Sequence, residues 1–130
     1  MTRKKTTDNS VFLVFEYCDH SLAGMLEQKT LELSDSQIKL YFKQMLQGLS
    51  FLHSCGVVHR DIKGANILIN NDGAVKLADF GLSRFIFPSG YGKRYEKDFT
   101  TRVVTTWYRP PELLLGSALY DSKLDMWSIG

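Results

Sequence analysis

The sequence is poor in several features that would point to a specialised environment. It has two cysteines in 130 residues. Cys18 and Cys55 are far apart and form no C-x-x-C pair, which argues against a disulfide framework or a thiolate metal site. They read as two reduced intracellular thiols. Charge of one sign is also scarce: 16 Lys and Arg face 14 Asp and Glu, a net of +2. Nothing in that balance asks for direct nucleic-acid binding. The run Arg3-Lys4-Lys5 reads as part of a solvated tail, with a fragment of a nuclear import signal as the alternative. No apolar run follows it closely enough to make a signal peptide. Val11–Phe15, the first such run, is too short to span a membrane. Repeats and low-complexity stretches are absent, and residues 1–10 contain no glycine.

The composition that remains, 44% hydrophobic and 23% charged, is that of an ordinary globular protein with one modest core. Residues 1–10 read as an unstructured tail. Val11–Glu16 is apolar and β-rich, the pattern of a buried strand. Ser21 is placed to N-cap a short helix to about Gln28. Ser34 and Gln37 have the spacing of a capping box. Behind them Ile38, Tyr41, Phe42, Met45, Leu46, Leu49 and Leu52 recur at three and four residues, which predicts an amphipathic helix from about Ser34 to Cys55. Gly56 is the left-handed residue that ends it. Ile67–Ile69 and Val75–Leu77 flank Asn70-Asn71-Asp72-Gly73 and predict a hairpin. From Gly81 to Arg109 regularity fades into a long loop.

Two motifs flank that hairpin. His59-Arg60-Asp61-Ile62-Lys63-Gly64-Ala65-Asn66 stands before it and Asp79-Phe80-Gly81 after it. Singly, such polar residues are ordinary turn formers. Together, in this order and behind a long helix, they resemble the paired signatures of enzymes that transfer a phosphoryl group, and the resemblance implies that reaction, one governed by positioning and charge neutralisation. Asp61 is fitted to orient an attacking hydroxyl and accept its proton. Lys63 adds positive charge. Asn66 and Asp79 offer the hard oxygens that magnesium prefers.

These blocks resemble the HRDLxxxN and DFG signatures of the eukaryotic protein kinases. Val103-Val104-Thr105-Thr106-Trp107-Tyr108-Arg109-Pro110-Pro111-Glu112 resembles the segment ending in Ala-Pro-Glu, with Pro110 replacing Ala, and Asp125-Met126-Trp127-Ser128-Ile129-Gly130 the start of the kinase central helix. Lys63, two residues after Asp61, is the serine/threonine form. WYRPPELLLG (Trp107–Gly116), VFEYCDH (Val14–His20) and TTRVVT (Thr100–Thr105) are similar to the transcriptional cyclin-dependent kinases, above all the elongation kinases that pair with T-type or K-type cyclins.

The resemblance implies an α+β fold. Residues 11–130 would form a partial protein-kinase domain, from the hinge strand to the start of the central helix, made mainly of the helical large lobe. It implies ATP and Mg as cofactors. Phe15 would stand behind the adenine. The backbones of Glu16 and Cys18 would bind the base, Leu68 would floor the pocket, and Ala78 would precede the metal ligand Asp79. Ser21 takes the place of an acidic residue that contacts the ribose in relatives. Thr100 aligns with the activating phosphorylation site, with Thr101 as its neighbour, and Arg60 and Arg84 would gather the phosphate. Thr105 would join Asp61, Lys63 and Asn66 in the catalytic set by bridging the first two. Val104 is expected at positive φ, and Asp125 is expected to brace the catalytic loop. His59 would pack and orient, while His20 and His53 would serve packing or the surface.

The implied activity is phosphorylation of Ser-Pro or Thr-Pro sites, such as those of the RNA polymerase II C-terminal repeat, in the nucleus and with a cyclin partner. No direct contact with nucleic acid or membrane is implied. The family's Gly-rich loop and VAIK-type lysine are not found in these residues. About half of a kinase domain is therefore expected to be missing, with little catalysis by this chain alone. A non-catalytic binding module is the alternative.

Overall fold

A computed structural model describes residues 2–5, 11–86, 105–117 and 120–130. Two strands come first: β1 (Thr2–Lys5) pairs antiparallel with β2 (Val11–Val14), Thr2 opposite Val14. The unstructured tail expected over residues 1–10 is thus corrected at Thr2–Lys5. The buried strand expected at Val11–Glu16 is corrected as well. β2 is shorter, and Phe12 to Phe15 are exposed. A two-stranded ribbon has two open faces, and no other described element packs a layer onto either.

β3 (His20–Ser21) leads into α1 (Leu22–Glu27). The Ser21 hydroxyl accepts the Gly24 N–H at 3.1 Å and caps α1 as its sequence predicts. α2 (Asp35–Ser54) begins with the full capping box: the Gln37 N–H reaches Ser34 Oγ, and the Ser34 N–H reaches Gln37 Oε1. Tyr41, Met45 and Leu49 bury the centre of its apolar stripe, while Ile38 and Phe42 at its edge remain exposed. The helix stops at Gly56, whose φ of 71° is costly for any side chain. The freed chain forms β4 (Val57–Val58), paired with β7 (Arg84–Phe85).

The predicted hairpin forms at its predicted strands, β5 (Ile67–Ile69) and β6 (Val75–Leu77), with Ile67 opposite Leu77. Its turn is not the two-residue type that Asp-Gly most often signals. The Gly73 N–H closes onto the Asn70 carbonyl at 3.0 Å, and Gly73 alone takes a positive φ. This matches the three-residue hairpin in which a turn is followed by a left-handed glycine. β3 adds to β5, giving a sheet ordered β3-β5-β6. Gln44 of α2 grips the hairpin twice: its Nε2 donates to the Gly73 carbonyl and its Oε1 accepts the Val75 N–H, both at 3.0 Å.

The main core lies between α2 and the hairpin, where Met45, Leu49, Ile62 and Ile67 are buried with Leu22, Leu52, Val75, Leu77 and Ile129 against them. Four such side chains, at about 1.5–3 kcal/mol each for full burial, form the principal apolar contribution to joining helix and sheet. A second cluster joins Leu113 of α3 (Pro111–Leu114) to Leu124 of α4 (Lys123–Ile129), with Tyr120 against both. The mixture of helices and antiparallel strands agrees with the α+β expectation. Among the described residues no helix is long and apolar enough to cross a membrane.

Candidate active site

The loop from β4 to β5 is fixed from below by one side chain. Asp125, at the start of α4, is 0% exposed. One of its oxygens accepts the Arg60 N–H and the other the His59 N–H, each at 2.9 Å. The second oxygen also meets His53 Nε2 at 2.8 Å. A buried carboxylate is tolerated because these donors replace its water. The bracing expected of Asp125 is present. His53, expected only to pack or face solvent, proves to be a ligand of that carboxylate.

Held this way, Arg60 adopts φ 67°, a left-handed conformation rare for a side chain of its size. The twist sends the next residues back toward Asn66. His59 turns inward, its Nε2 3.0 Å from the Ala78 carbonyl and its Nδ1 3.3 Å from the Asp61 N–H. The first bond suits a protonated Nε2 and the second an accepting Nδ1, so one neutral tautomer satisfies both. The His59 ring also lies 4.9 Å from that of Phe80. This is the packing and orienting role that its sequence position implies.

Four predicted residues meet at Asp61. Lys63 Nζ lies 2.9 Å from Asp61 Oδ2. The Thr105 hydroxyl donates to Asp61 Oδ1 at 3.2 Å and accepts from Lys63 Nζ at 3.3 Å. Asn66 Nδ2 donates to the Asp61 carbonyl at 2.8 Å and to its Oδ2 at 3.0 Å. Burial pushes the Asp61 carboxyl up. The Lys63 hydrogen bond and charge, with the bonds from Asn66 and Thr105, outweigh it and hold Asp61 below its ordinary value. Asp61 is therefore anionic at neutral pH and fixed in direction.

Because the Asn66 amide nitrogen is spent on Asp61, its oxygen faces away from that carboxylate. The hairpin then brings the chain back, with the Ala78 N–H bound to the Asn66 carbonyl at 2.9 Å. Asp79 follows at φ 60°, a second strained residue, with an exposed carboxylate. Its Oδ1 accepts the Gly81 N–H at 3.2 Å. An amide oxygen and a carboxylate on backbone neighbours fit the few hard protein ligands that magnesium takes beside water and phosphate oxygens.

The remaining predicted residues are less closely gathered. Ser21 lies opposite Leu68 across β3 and β5, which puts the helix cap next to the proposed pocket floor. Leu68 and Ala78 are half-buried. Phe15 is 66% exposed, and the described residues build no wall around it. Glu16 turns its side chain to Lys76, and Cys18 is half-buried. Arg84 sits in β7 opposite Val58, two residues before Arg60. Arg60 is 7% exposed, with Nε on the Leu82 carbonyl at 2.6 Å and Nη1 on the Tyr120 hydroxyl at 2.7 Å. Thr100, Thr101 and Val104, with its expected φ, lie outside the described residues.

Three features escaped the sequence reading: the left-handed backbone at Arg60 and Asp79, the His53–Asp125 bond, and the Arg60–Tyr120 bond. Periodicity carries no signal for any of them, since each joins distant segments or depends on a single strained residue.

Comparison with known proteins agrees with this geometry. Residues 2–130 match the family model described as the protein kinase domain. The chain is 50% identical over 121 residues to cyclin-dependent kinase C-1 of Oryza sativa subsp. japonica, covering 93% of the chain and 22% of that protein. It is 50% identical over 122 residues to the CTD kinase subunit alpha of Schizosaccharomyces pombe, covering 94% and 20%. The crystal structure of the yeast RNA Pol II CTD kinase CTDK-1 complex superposes with a TM-score of 0.89 at 43% identity, over 99% of this chain and 40% of that one. The chain thus spans about a fifth of the length of these curated relatives.

Proposed function

This chain belongs to the protein kinase family, and on that footing we propose that it is the catalytic-loop portion of a cyclin-dependent serine/threonine kinase of the transcriptional group. The reaction is transfer of the terminal phosphoryl group of ATP to a serine or threonine hydroxyl followed by proline. The proposed substrate is the RNA polymerase II C-terminal repeat, the proposed partner a T-type or K-type cyclin, and the proposed location the nucleus. The names of its relatives support this choice of substrate.

The observation that carries the reading is the closed set of bonds among Asp61, Lys63, Asn66 and Thr105. Asp61 keeps its charge and its direction, so its carboxylate can take a hydrogen bond from an incoming hydroxyl and receive the proton as the oxygen attacks. Lys63 stays beside it as the mobile positive charge. Asn66 and Asp79 would hold magnesium, which neutralises phosphate charge when bound. The adenine would lie between the Glu16–Cys18 backbone and Leu68, with Phe15 behind it, Ala78 beneath and Ser21 toward the ribose. Arg60 and Arg84 would gather a phosphate on Thr100.

These 130 residues contain neither GxGxxG nor a VAIK-type lysine. On their own they are proposed to transfer little phosphate. The test compares the chain with a complete kinase domain built around it, each given a transcriptional cyclin, Mg-ATP and a Ser-Pro repeat peptide. Incorporation by the complete domain alone, lost in Asp79→Asn, is the expected result. A complete domain that stays silent would overturn the reading.

A further inference from the structure

Arg60 combines three properties. It is almost fully buried, its backbone is strained at φ 67°, and its guanidinium has two fixed bonds. Both partners, the Leu82 carbonyl and the Tyr120 hydroxyl, are uncharged. Among the described residues no carboxylate pairs with it, since the ion pairs found there involve other groups. A guanidinium offers five N–H donors, of which these bonds use two. A buried cation held by neutral acceptors is incompletely compensated and favours an oxyanion on its remaining face.

Tyr120 sets where that face points. Its ring rests on Leu113 and Leu124, so the hydroxyl comes from the core that joins α3 to α4. Leu82 holds the Nε edge from the turn after Asp79-Phe80-Gly81. The planar fork is thereby pinned at two corners by two segments far apart in sequence. A side chain as long as arginine would otherwise lose considerable rotamer freedom on gripping a ligand.

We infer that Tyr120 is a positioning residue: through its hydroxyl it presets the Arg60 guanidinium to receive a phosphate dianion. The inference rests on the reading of Arg60 as a phosphate ligand and adds the residue that orients it. A phosphorylated side chain of the same chain and free phosphate share this chemistry. Tyr120→Phe keeps the ring against Leu113 and Leu124 and removes only the atom that Arg60 meets.

The test uses the complete kinase domain in three states: unphosphorylated, phosphorylated at Thr100, and unphosphorylated with inorganic phosphate, against chloride at equal ionic strength. The readout is the rise in melting temperature that phosphate produces in wild type, Tyr120→Phe and Arg60→Gln. A purely structural role would lower every state equally and leave that rise unchanged. The expected result is a rise cut to roughly half or less in Tyr120→Phe, and cut at least as far in Arg60→Gln, on whichever phosphate arm responds. A full or enlarged rise in Tyr120→Phe, with Arg60→Gln diminished, overturns the inference alone. No rise in wild type, or a full rise in Arg60→Gln, overturns the phosphate reading and the inference with it.

Discussion

The Thr105 hydroxyl gives its proton to Asp61 Oδ1 at 3.2 Å while receiving one from Lys63 Nζ at 3.3 Å. This oxygen adds a second link beside the direct 2.9 Å contact of Lys63 Nζ with Asp61 Oδ2, and it ties the segment before Pro110-Pro111-Glu112 to the catalytic loop. Thr105→Val keeps the shape and removes the bridge. Hydrogen bonds to charged groups contribute about 1.5–3 kcal/mol, so kcat in a complete domain is expected to fall about 10- to 100-fold. KM for ATP should change little. Steady-state kinetics decide it, and an unchanged kcat would show that the bridge is ornamental.

Acid stability offers an independent check on Asp61. Its carboxyl titrates below its ordinary value in the folded chain because burial, which raises it, is outweighed by Lys63, Asn66 and Thr105. On acidification the unfolded chain takes up this proton first, so stability rises with pH across the window. The contribution is complete above about pH 4, the ordinary aspartate range, and is lost as pH falls through the lower folded value. Urea unfolding across that range should show a shallower pH slope in Asp61→Asn. Equal slopes would contradict the lowered titration.

Asp125→Ala should be among the most destabilising substitutions in the chain. It strands the buried N–H groups of His59 and Arg60 and the His53 ring. At about 1–3 kcal/mol for each buried group left unsatisfied, a loss on the order of 3–5 kcal/mol is expected. Asp125→Asn should lose less, because one oxygen still accepts. Chemical denaturation measures both, and a loss below about 1 kcal/mol for the alanine would contradict the bracing role.

Two glycines should differ in a defined order. Gly73→Ala meets nothing within 4 Å and incurs only the left-handed backbone penalty, about 1–2 kcal/mol. Gly56→Ala incurs the same penalty and also sets its Cβ 3.2 Å from the Ile86 carbonyl, whose residue is tied to Gly56 by a 2.7 Å bond. The Gly56 variant should therefore be the less stable in a thermal melt. The reverse order would mean that β4 and β7 relax freely.

Much of this was legible in the sequence because it is local. The α2 capping box depends on two residues three apart, and the strands β5 and β6 on apolar runs beside a turn. The cluster around Asp61 was legible for a different reason: its motifs are short and fixed in spacing. Exposure was not legible. Phe12 to Phe15 have the apolar character of a covered strand, but burial depends on which layers are present, and a run of residues does not encode its neighbours. The left-handed Arg60 has its N–H held by Asp125, 65 residues away. No local pattern records that contact.

The grip of Gln44 on the hairpin has a consequence for how the chain meets other chains. β6 is the outer strand of its sheet, and outer strands invite further strands to add by exchanging backbone bonds. The Gln44 amide occupies the outward Val75 N–H and the Gly73 carbonyl as an added strand would. A single side chain thus serves as a counterfeit neighbour at the turn end of β6. β2, with Phe12, Leu13 and Val14 exposed, has no such guard among the described residues, so misassembly should begin there.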